Sequence, residues 1–168
     1  VSSAASDVYK RQPLILGEAT RVMSLRDGSK KMSKSDPSDY SRIMLTDSAD
    51  NITQKIRKAK TDPKPLPENI TELNSRPEAQ NLISIFASLQ DNSIEKIVSD
   101  YAGKEFSIFK KDLADLAASK IEPISSEINK LMGDTSHLDS ILKDGKEKAI
   151  AVAEPVLEKT KEIIEEKN

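Results

Sequence analysis

Three lysines and three serines crowd into the short stretch between residues 29 and 35. They are Ser29, Lys30, Lys31, Ser33, Lys34 and Ser35, with Gly28 before them and Pro37 after them. Lysine supplies compact, mobile positive charges and serine adds neutral donors, so the set suits a highly charged phosphate group. The glycines with which a Walker loop holds phosphate through backbone amides are missing. The spacing alone therefore leaves two interpretations open, a flexible phosphate-binding loop and a solvated basic surface loop.

The charge of the chain is distributed unevenly around this stretch. The 168 residues have a net charge of −2, which argues against a simple polybasic nucleic-acid binder. Residues 21–64 hold 11 basic and 6 acidic side chains, whereas residues 65–168 hold 13 basic and 20 acidic side chains. A polyanion would therefore meet the front third of the chain, and the acidic rear is expected to be a solvated helical body.

The composition excludes several kinds of chemistry. The chain has no cysteine, which rules out disulfides, thiolate metal sites and a cysteine nucleophile. The single histidine, His137, argues against zinc catalysis and a Ser-His-Asp triad. Apolar runs stay well below the ~18 residues of a membrane-spanning helix, and the start lacks the ~7–15-residue apolar stretch of a signal peptide.

The elements around the basic stretch are short. Residues 1–12 show neither strand nor helix periodicity and are predicted to be an unstructured or junction segment. Residues 26–29 read as a turn, and a first helix is predicted over residues 48–60 with Ser48 as its cap. Its basic residues from Lys55 to Lys60 fit either a solvated face or a surface that contacts RNA phosphate. The prolines within residues 61–67 then indicate a hinge.

Apolar residues recur at helical spacing along most of residues 75–164. Ser75 and Glu78 predict a capping box at the start of this region. Pro123 predicts a kink or break in a long helix that ends at Gly133, and Gly145 predicts an interruption of the helix that follows. The fold class expected from this pattern, and from a composition rich in Ala, Leu, Ile, Lys and Glu, is mostly α.

The motif letters add a resemblance. Residues 31–35 read KMSKS, which resembles the second signature of class I aminoacyl-tRNA synthetases. Before it stands RVMSL at residues 21–25, and after it come DPSDYSRI and KIRKAKTD, a context that is similar to the bacterial-type tryptophanyl-tRNA synthetases. The resemblance runs from about Pro13 to near the carboxy terminus and is strongest over Arg21–Asp62.

This resemblance implies a domain organisation. Residues 13–64 would be the tail of a Rossmann catalytic domain with its KMSKS loop, and residues 65–168 a helical bundle that binds the tRNA anticodon. The first signature of the class, the HIGH-type motif, and the tryptophan pocket belong to an amino-terminal half that does not match this chain. We therefore expect the carboxy-terminal part of an enzyme, inactive on its own.

The resemblance also implies a site. In this family the KMSKS loop closes on ATP, the tryptophan carboxylate attacks the α-phosphorus, and pyrophosphate leaves. Lys34 would stabilise the charge that develops on pyrophosphate, and Lys31 would support it. Val22 would contact the adenine side of ATP, mainly through its backbone. The implied ATP-binding residues are Val22, Lys31, Met32, Ser33, Lys34 and Ser35.

The implied partners are ATP with Mg²⁺ bound through its phosphates, L-tryptophan, tRNA(Trp) and a second copy in a homodimer. No metal site built from protein ligands and no membrane contact are implied, and the location would be the cytoplasm. An alternative function remains open, namely a non-catalytic helical module that binds RNA or protein and keeps a vestigial ATP loop.

Overall fold

A short β-hairpin and six helices make up the part of the chain that the computed structural model describes, residues 21–165. The junction segment predicted over residues 1–12 and the first residues of the predicted catalytic tail lie outside it. The mostly α fold class is confirmed. The elements in chain order are β1 (Met23–Ser24), β2 (Asp27–Lys31), a 3-10 turn (Asp39–Ser41), α1 (Ala49–Arg57), α2 (Ile70–Leu73), α3 (Pro77–Gln90), α4 (Ile94–Tyr101), α5 (Phe106–Gly133) and α6 (Thr135–Glu165).

The hairpin packs closely on the start of α3. β1 and β2 are antiparallel, and Met23 is opposite Lys31 in an irregular register. Gly28 is buried, and a Cβ atom at this position would lie 2.6 Å from backbone atoms of Pro77 and Glu78. Real Cβ atoms do not approach backbone so closely, so glycine is required for this contact. The turn predicted over residues 26–29 is displaced, because Asp27 already begins β2.

Two of the predicted helix starts are confirmed and one is wrong. The Ser48 hydroxyl accepts a hydrogen bond from the Asn51 amide at the start of α1 (3.2 Å), as predicted. For α4 the sequence predicts a start at Asn92 or Ser93, and Ser93 is the cap in the structure. The capping box at Ser75 does not form, because its hydroxyl donates backwards to the carbonyl of Glu72 (2.8 Å). The proline at the first position of α3 leaves one fewer amide to cap.

The core lies among the hairpin, α1, α3, α4 and the first half of α5. Its centre is a set of three aromatic rings, Phe86, Tyr101 and Phe109, whose centroids lie 5.0 to 5.4 Å apart. Edge-on and tilted contacts of this kind add to the hydrophobic stabilisation. The fully buried side chains around them include Ile52, Ile56, Leu73, Leu82, Ile83, Ile97 and Leu113.

The chain divides into two compact units, of which the first ends at Glu122 and the second begins at Pro123. The break predicted at Pro123 is wrong, since α5 continues through it to Gly133. The interruption predicted at Gly145 is also wrong, because a single glycine costs a helix only about 1 kcal/mol relative to alanine. The structure describes Thr135–Glu165 throughout, and no residue of α6 is buried there. The division at residue 64 into a catalytic tail and an anticodon-binding bundle stays a prediction.

Candidate functional site

The KMSKS residues begin at the end of β2 and leave it as an exposed loop. Lys31 is the last residue of the strand, and the Met32 amide donates to the Val22 carbonyl (3.1 Å), which fixes the base of the loop to β1. The Met32 side chain is half-buried against the core. Ser33, Lys34 and Ser35 are exposed. The base of the loop is therefore held by the fold, whereas its tip reaches solvent.

Part of the predicted ATP set surrounds one concavity. Val22, Lys31 and Met32 line a shallow, open depression of about 500 Å³ together with Arg21. Ser33, Lys34 and Ser35 do not line it. The ammonium groups of Lys31 and Lys34 form no ion pair with any residue in the described range 21–165, so their charge is available to a ligand.

One feature of the predicted loop is corrected by the structure. Ser29, Lys30 and Lys31 belong to β2 and not to a flexible loop. Lys30 is paired with Asp27 across the strand start (3.3 Å). Hydrogen bonds from the hydroxyl and amide of Ser29, with Lys30 nearby, lower the pKa of Asp27 to about 2. The Lys30 ammonium group is therefore partly engaged by Asp27, whereas the loop interpretation required it to be available to a phosphate.

A buried lysine holds the segment that follows the loop. Lys55 on α1 is 3% exposed, and its Nζ atom lies 2.7 Å from Oδ2 of Asp47 and 2.8 Å from Oδ2 of Asp39. Burial by itself would lower the pKa of Lys55, but the hydrogen bonds to the two carboxylates outweigh it and the pKa is raised. The sequence had placed Lys55 on a solvated or RNA-facing surface, and that placement is wrong.

A buried asparagine on α3 is a residue that the sequence analysis missed. Asn81 is 6% exposed and its carboxamide faces the backbone of β1. The Met23 amide donates to Oδ1 of Asn81 (2.9 Å), and Nδ2 donates back to the Met23 carbonyl (2.9 Å). The available signal was a polar residue next to Leu82 in an otherwise apolar helix stripe, since a buried amide must find partners.

A second concavity lies between α1 and the start of α5. Its volume is about 670 Å³, and Lys110 on its wall donates to the carbonyl of Arg57 at the end of α1 and to the carbonyl of Ala59 just after it. Burial lowers the pKa of Lys110. No residue of the predicted ATP set lines it. Its lining residues are Thr53, Arg57, Phe106, Ser107, Lys110, Lys111, Ala114 and Asp115.

Metal-ligand clusters and membrane-spanning helices are both absent from the part of the chain that the structure describes. Over residues 21–165 no group of three or more His, Asp or Glu side chains is arranged to hold a metal ion. No helix in the same range is both long and apolar enough to cross a bilayer.

The hairpin, its KMSKS loop and the helices that follow correspond to a known class of enzyme. The family model described as "tRNA synthetases class I (W and Y)" matches residues 4–124. The match covers well over half of the chain, which therefore belongs to the tryptophan and tyrosine group of class I aminoacyl-tRNA synthetases.

Curated relatives narrow the group to the tryptophan branch. The chain is 56% identical over 153 residues to the "Tryptophan--tRNA ligase" of Rhizobium meliloti, a match of 91% of this chain and 43% of the relative. It is 54% identical over 152 residues to the ligase of Caulobacter vibrioides, covering 90% of this chain and 44% of the relative. The resemblance to bacterial-type tryptophanyl-tRNA synthetases is confirmed. The chain spans less than half the length of these relatives.

A solved structure supports the fold. The crystal structure of tryptophanyl-tRNA synthetase from Mycoplasma pneumoniae superposes with a TM-score of 0.54 at 23% identity, covering 66% of this chain and 36% of that chain. At this level of identity the likeness speaks for the architecture alone.

Proposed function

We propose that this chain supplies the KMSKS loop and the helical carboxy-terminal part of a tryptophan–tRNA ligase. The ligase uses ATP to convert L-tryptophan to tryptophanyl-adenylate and then transfers the amino acid to tRNA(Trp). The observation that carries the proposal is the convergence of Val22, Lys31 and Met32 on one concavity at the base of the loop. The relatives named tryptophan–tRNA ligase support the choice of reaction.

In this proposal Lys34 acts on the leaving group. When the tryptophan carboxylate attacks the α-phosphorus of ATP, negative charge builds on the departing pyrophosphate. A positive charge directed at that position stabilises the transition state more than the ground state. Lys34 is exposed and Lys31 lies at the end of β2, so both are accessible to phosphates. Ser33 and Ser35, whose hydroxyl oxygens lie 3.1 Å apart, add neutral donors near the phosphates.

The remaining components follow from the family. Mg²⁺ enters with ATP as part of the substrate, bound by phosphate oxygens, which suits the preference of this ion for phosphates over a protein cage. The helices after residue 64 contact tRNA(Trp), and the tryptophan pocket lies in the part of the relatives that this chain does not match. The complete enzyme is proposed to be a homodimer in the cytoplasm.

Tryptophan-dependent exchange between ATP and pyrophosphate tests the reaction. We would fuse the whole chain behind the part of the R. meliloti ligase that the match leaves uncovered, and compare the fusion with its Lys34→Ala variant. Removal of one such donor is expected to lower kcat by about 10²–10³, with a small change in the KM for ATP. Lys30→Ala is the matched control, because Lys30 is also an exposed lysine, lies four residues before Lys34 on β2 and is paired with Asp27.

Three outcomes would contradict parts of the proposal. If Lys34→Ala raised the KM for ATP and left kcat unchanged, the transition-state role of Lys34 would be wrong. If a folded fusion showed no exchange yet bound RNA, the result would favour the non-catalytic module with a vestigial ATP loop. Exchange by the chain alone would show that it holds a tryptophan site of its own and would overturn the assignment of that pocket to the unmatched part.

A further inference from the structure

Among residues 21–165, the edge of β1 that faces away from β2 is hydrogen-bonded to a side chain, that of Asn81. On one side of β1 the Val22 carbonyl accepts from the Met32 amide (3.1 Å). On the other side the amide and the carbonyl of Met23 both bond to the carboxamide of Asn81, each at 2.9 Å. A carboxamide offers N–H donors as well as a carbonyl acceptor, so Asn81 bonds both polar groups of Met23 as a neighbouring strand would.

The contact between Asn81 and Met23 is linked to the candidate nucleotide site through Val22, the residue before Met23. Met23 is covalently joined to Val22, and Val22 in turn holds the Met32 amide at the base of the KMSKS loop. A two-stranded hairpin is only marginally stable by itself, so the position of β1 depends on what it is attached to. Asn81 lies on α3, 58 positions further along the chain, and is shielded from water.

We propose that Asn81 is a positioning residue for the nucleotide site: its carboxamide fixes β1 on α3 and thereby sets the placement of Val22 and of the loop base at Met32. The inference rests on the proposed function for its effect on ATP, whereas the effect on β1 stands on the hydrogen bonds alone. The packing of Gly28 against Pro77 and Glu78 is a second contact between the same two elements.

The first experiment measures the geometry in the complete 168-residue chain. Hydrogen exchange of the Met23 and Met32 amides is followed by NMR in the wild type, Asn81→Leu and Asn81→Gln. Leucine has a similar size and no polar atoms, so both amides should exchange about tenfold faster or more. Glutamine keeps the donor and the acceptor on a side chain one methylene longer and adds no charge, so it should give an intermediate rate. Ile83→Ala, a buried change on the same helix, should not single out these two amides.

The second experiment measures the consequence for ATP in the fusion with the R. meliloti segment. A displacement of about 1 Å at a reacting geometry can cost about 10²-fold, so Asn81→Leu should lower kcat/KM for ATP by about 10–100-fold. The KM for tryptophan should change less than twofold, since the proposed function places the tryptophan pocket in the part of the relatives that this chain does not match. Asn81→Gln should recover part of the loss, because it restores both hydrogen-bonding groups without a charge.

The outcomes separate the two proposals. If Met23 and Met32 kept their protection in Asn81→Leu, or if kcat/KM for ATP matched that of Ile83→Ala, the positioning role would be wrong. A rise in the KM for tryptophan as large as the loss in kcat/KM for ATP would also overturn it. An inactive wild-type fusion whose Asn81→Leu variant lost amide protection would refute the proposed function, while the anchoring of β1 by Asn81 would stand.

Discussion

Replacement of Lys55 by methionine should strongly destabilise the unit that ends at Glu122. The Lys55 side chain is 4% exposed, and its partner Asp47 is 11% exposed. Removal of one partner of a buried ion pair typically costs about 3–5 kcal/mol, because the other charge stays buried without compensation. The Met44 amide still donates to Asp47 Oδ2 (2.8 Å), so the lower end of that range, about 3 kcal/mol, is expected.

Urea unfolding of the complete chain, followed by near-ultraviolet circular dichroism, measures this effect. For a small unit with a slope of about 1–3 kcal/mol per molar urea, a loss of about 3 kcal/mol moves the midpoint by roughly 1–3 M. The double variant Asp47→Asn/Lys55→Met should regain part of the loss, because asparagine leaves no buried charge. Asp39 is largely exposed and should matter less.

The control is Lys96→Met, the same substitution in an exposed pair. Lys96 lies 3.2 Å from Asp100 on α4, with side chains 57% and 47% exposed. Pairs of this type contribute about 0.3–0.5 kcal/mol, so the midpoint should barely move. If Lys55→Met shifted the midpoint no further than Lys96→Met, the argument that the buried pair secures the segment after the loop would be refuted.

Two further predictions concern the hairpin and the aromatic core. Gly28→Ala should destabilise the chain by about 1–3 kcal/mol, because its Cβ would collide with the backbone of Pro77; an unchanged urea midpoint would show that the hairpin is free to move away from α3. Burial and the hydrogen bond to Asp112 raise the pKa of Tyr101 to about 12. The contribution of the neutral Tyr101 to folding stability should therefore be complete below pH ~10, the ordinary pKa of tyrosine in the unfolded chain. It should be lost as the pH rises toward 12. Absorbance titration near 295 nm should show this late ionisation, which is absent from Tyr101→Phe.

The loop illustrates how far local sequence reaches. The KMSKS letters and their neighbours identified the family, because a motif is a property of adjacent residues. The same letters did not show that Ser29–Lys31 form a strand. That strand depends on pairing with β1 and on packing against α3, and such distant contacts override local turn preference.

Helix boundaries show the same division. Ser48 was predicted as a cap and Ser93 as one of two candidates, and both are caps, since capping involves residues only three positions apart. Ser75 also had a capping pattern, yet its hydroxyl bonds to the preceding turn. Pro123 was expected to kink or break one helix and Gly145 to interrupt the next, but neither helix is broken there. Such residues lower the stability of a helix without fixing where it ends, so the local pattern was insufficient there.

The sequence by itself determined the mostly α class and the family, and it predicts the residues that approach ATP in the proposed function. Periodicity, composition and a contiguous motif are all readable along the chain. Only the tertiary structure decided that Lys55 is buried between two aspartates and that Asn81 completes the edge of β1. In both contacts a polar side chain is removed from water and must form hydrogen bonds inside the protein. The partners available to it depend on how distant segments of the chain pack.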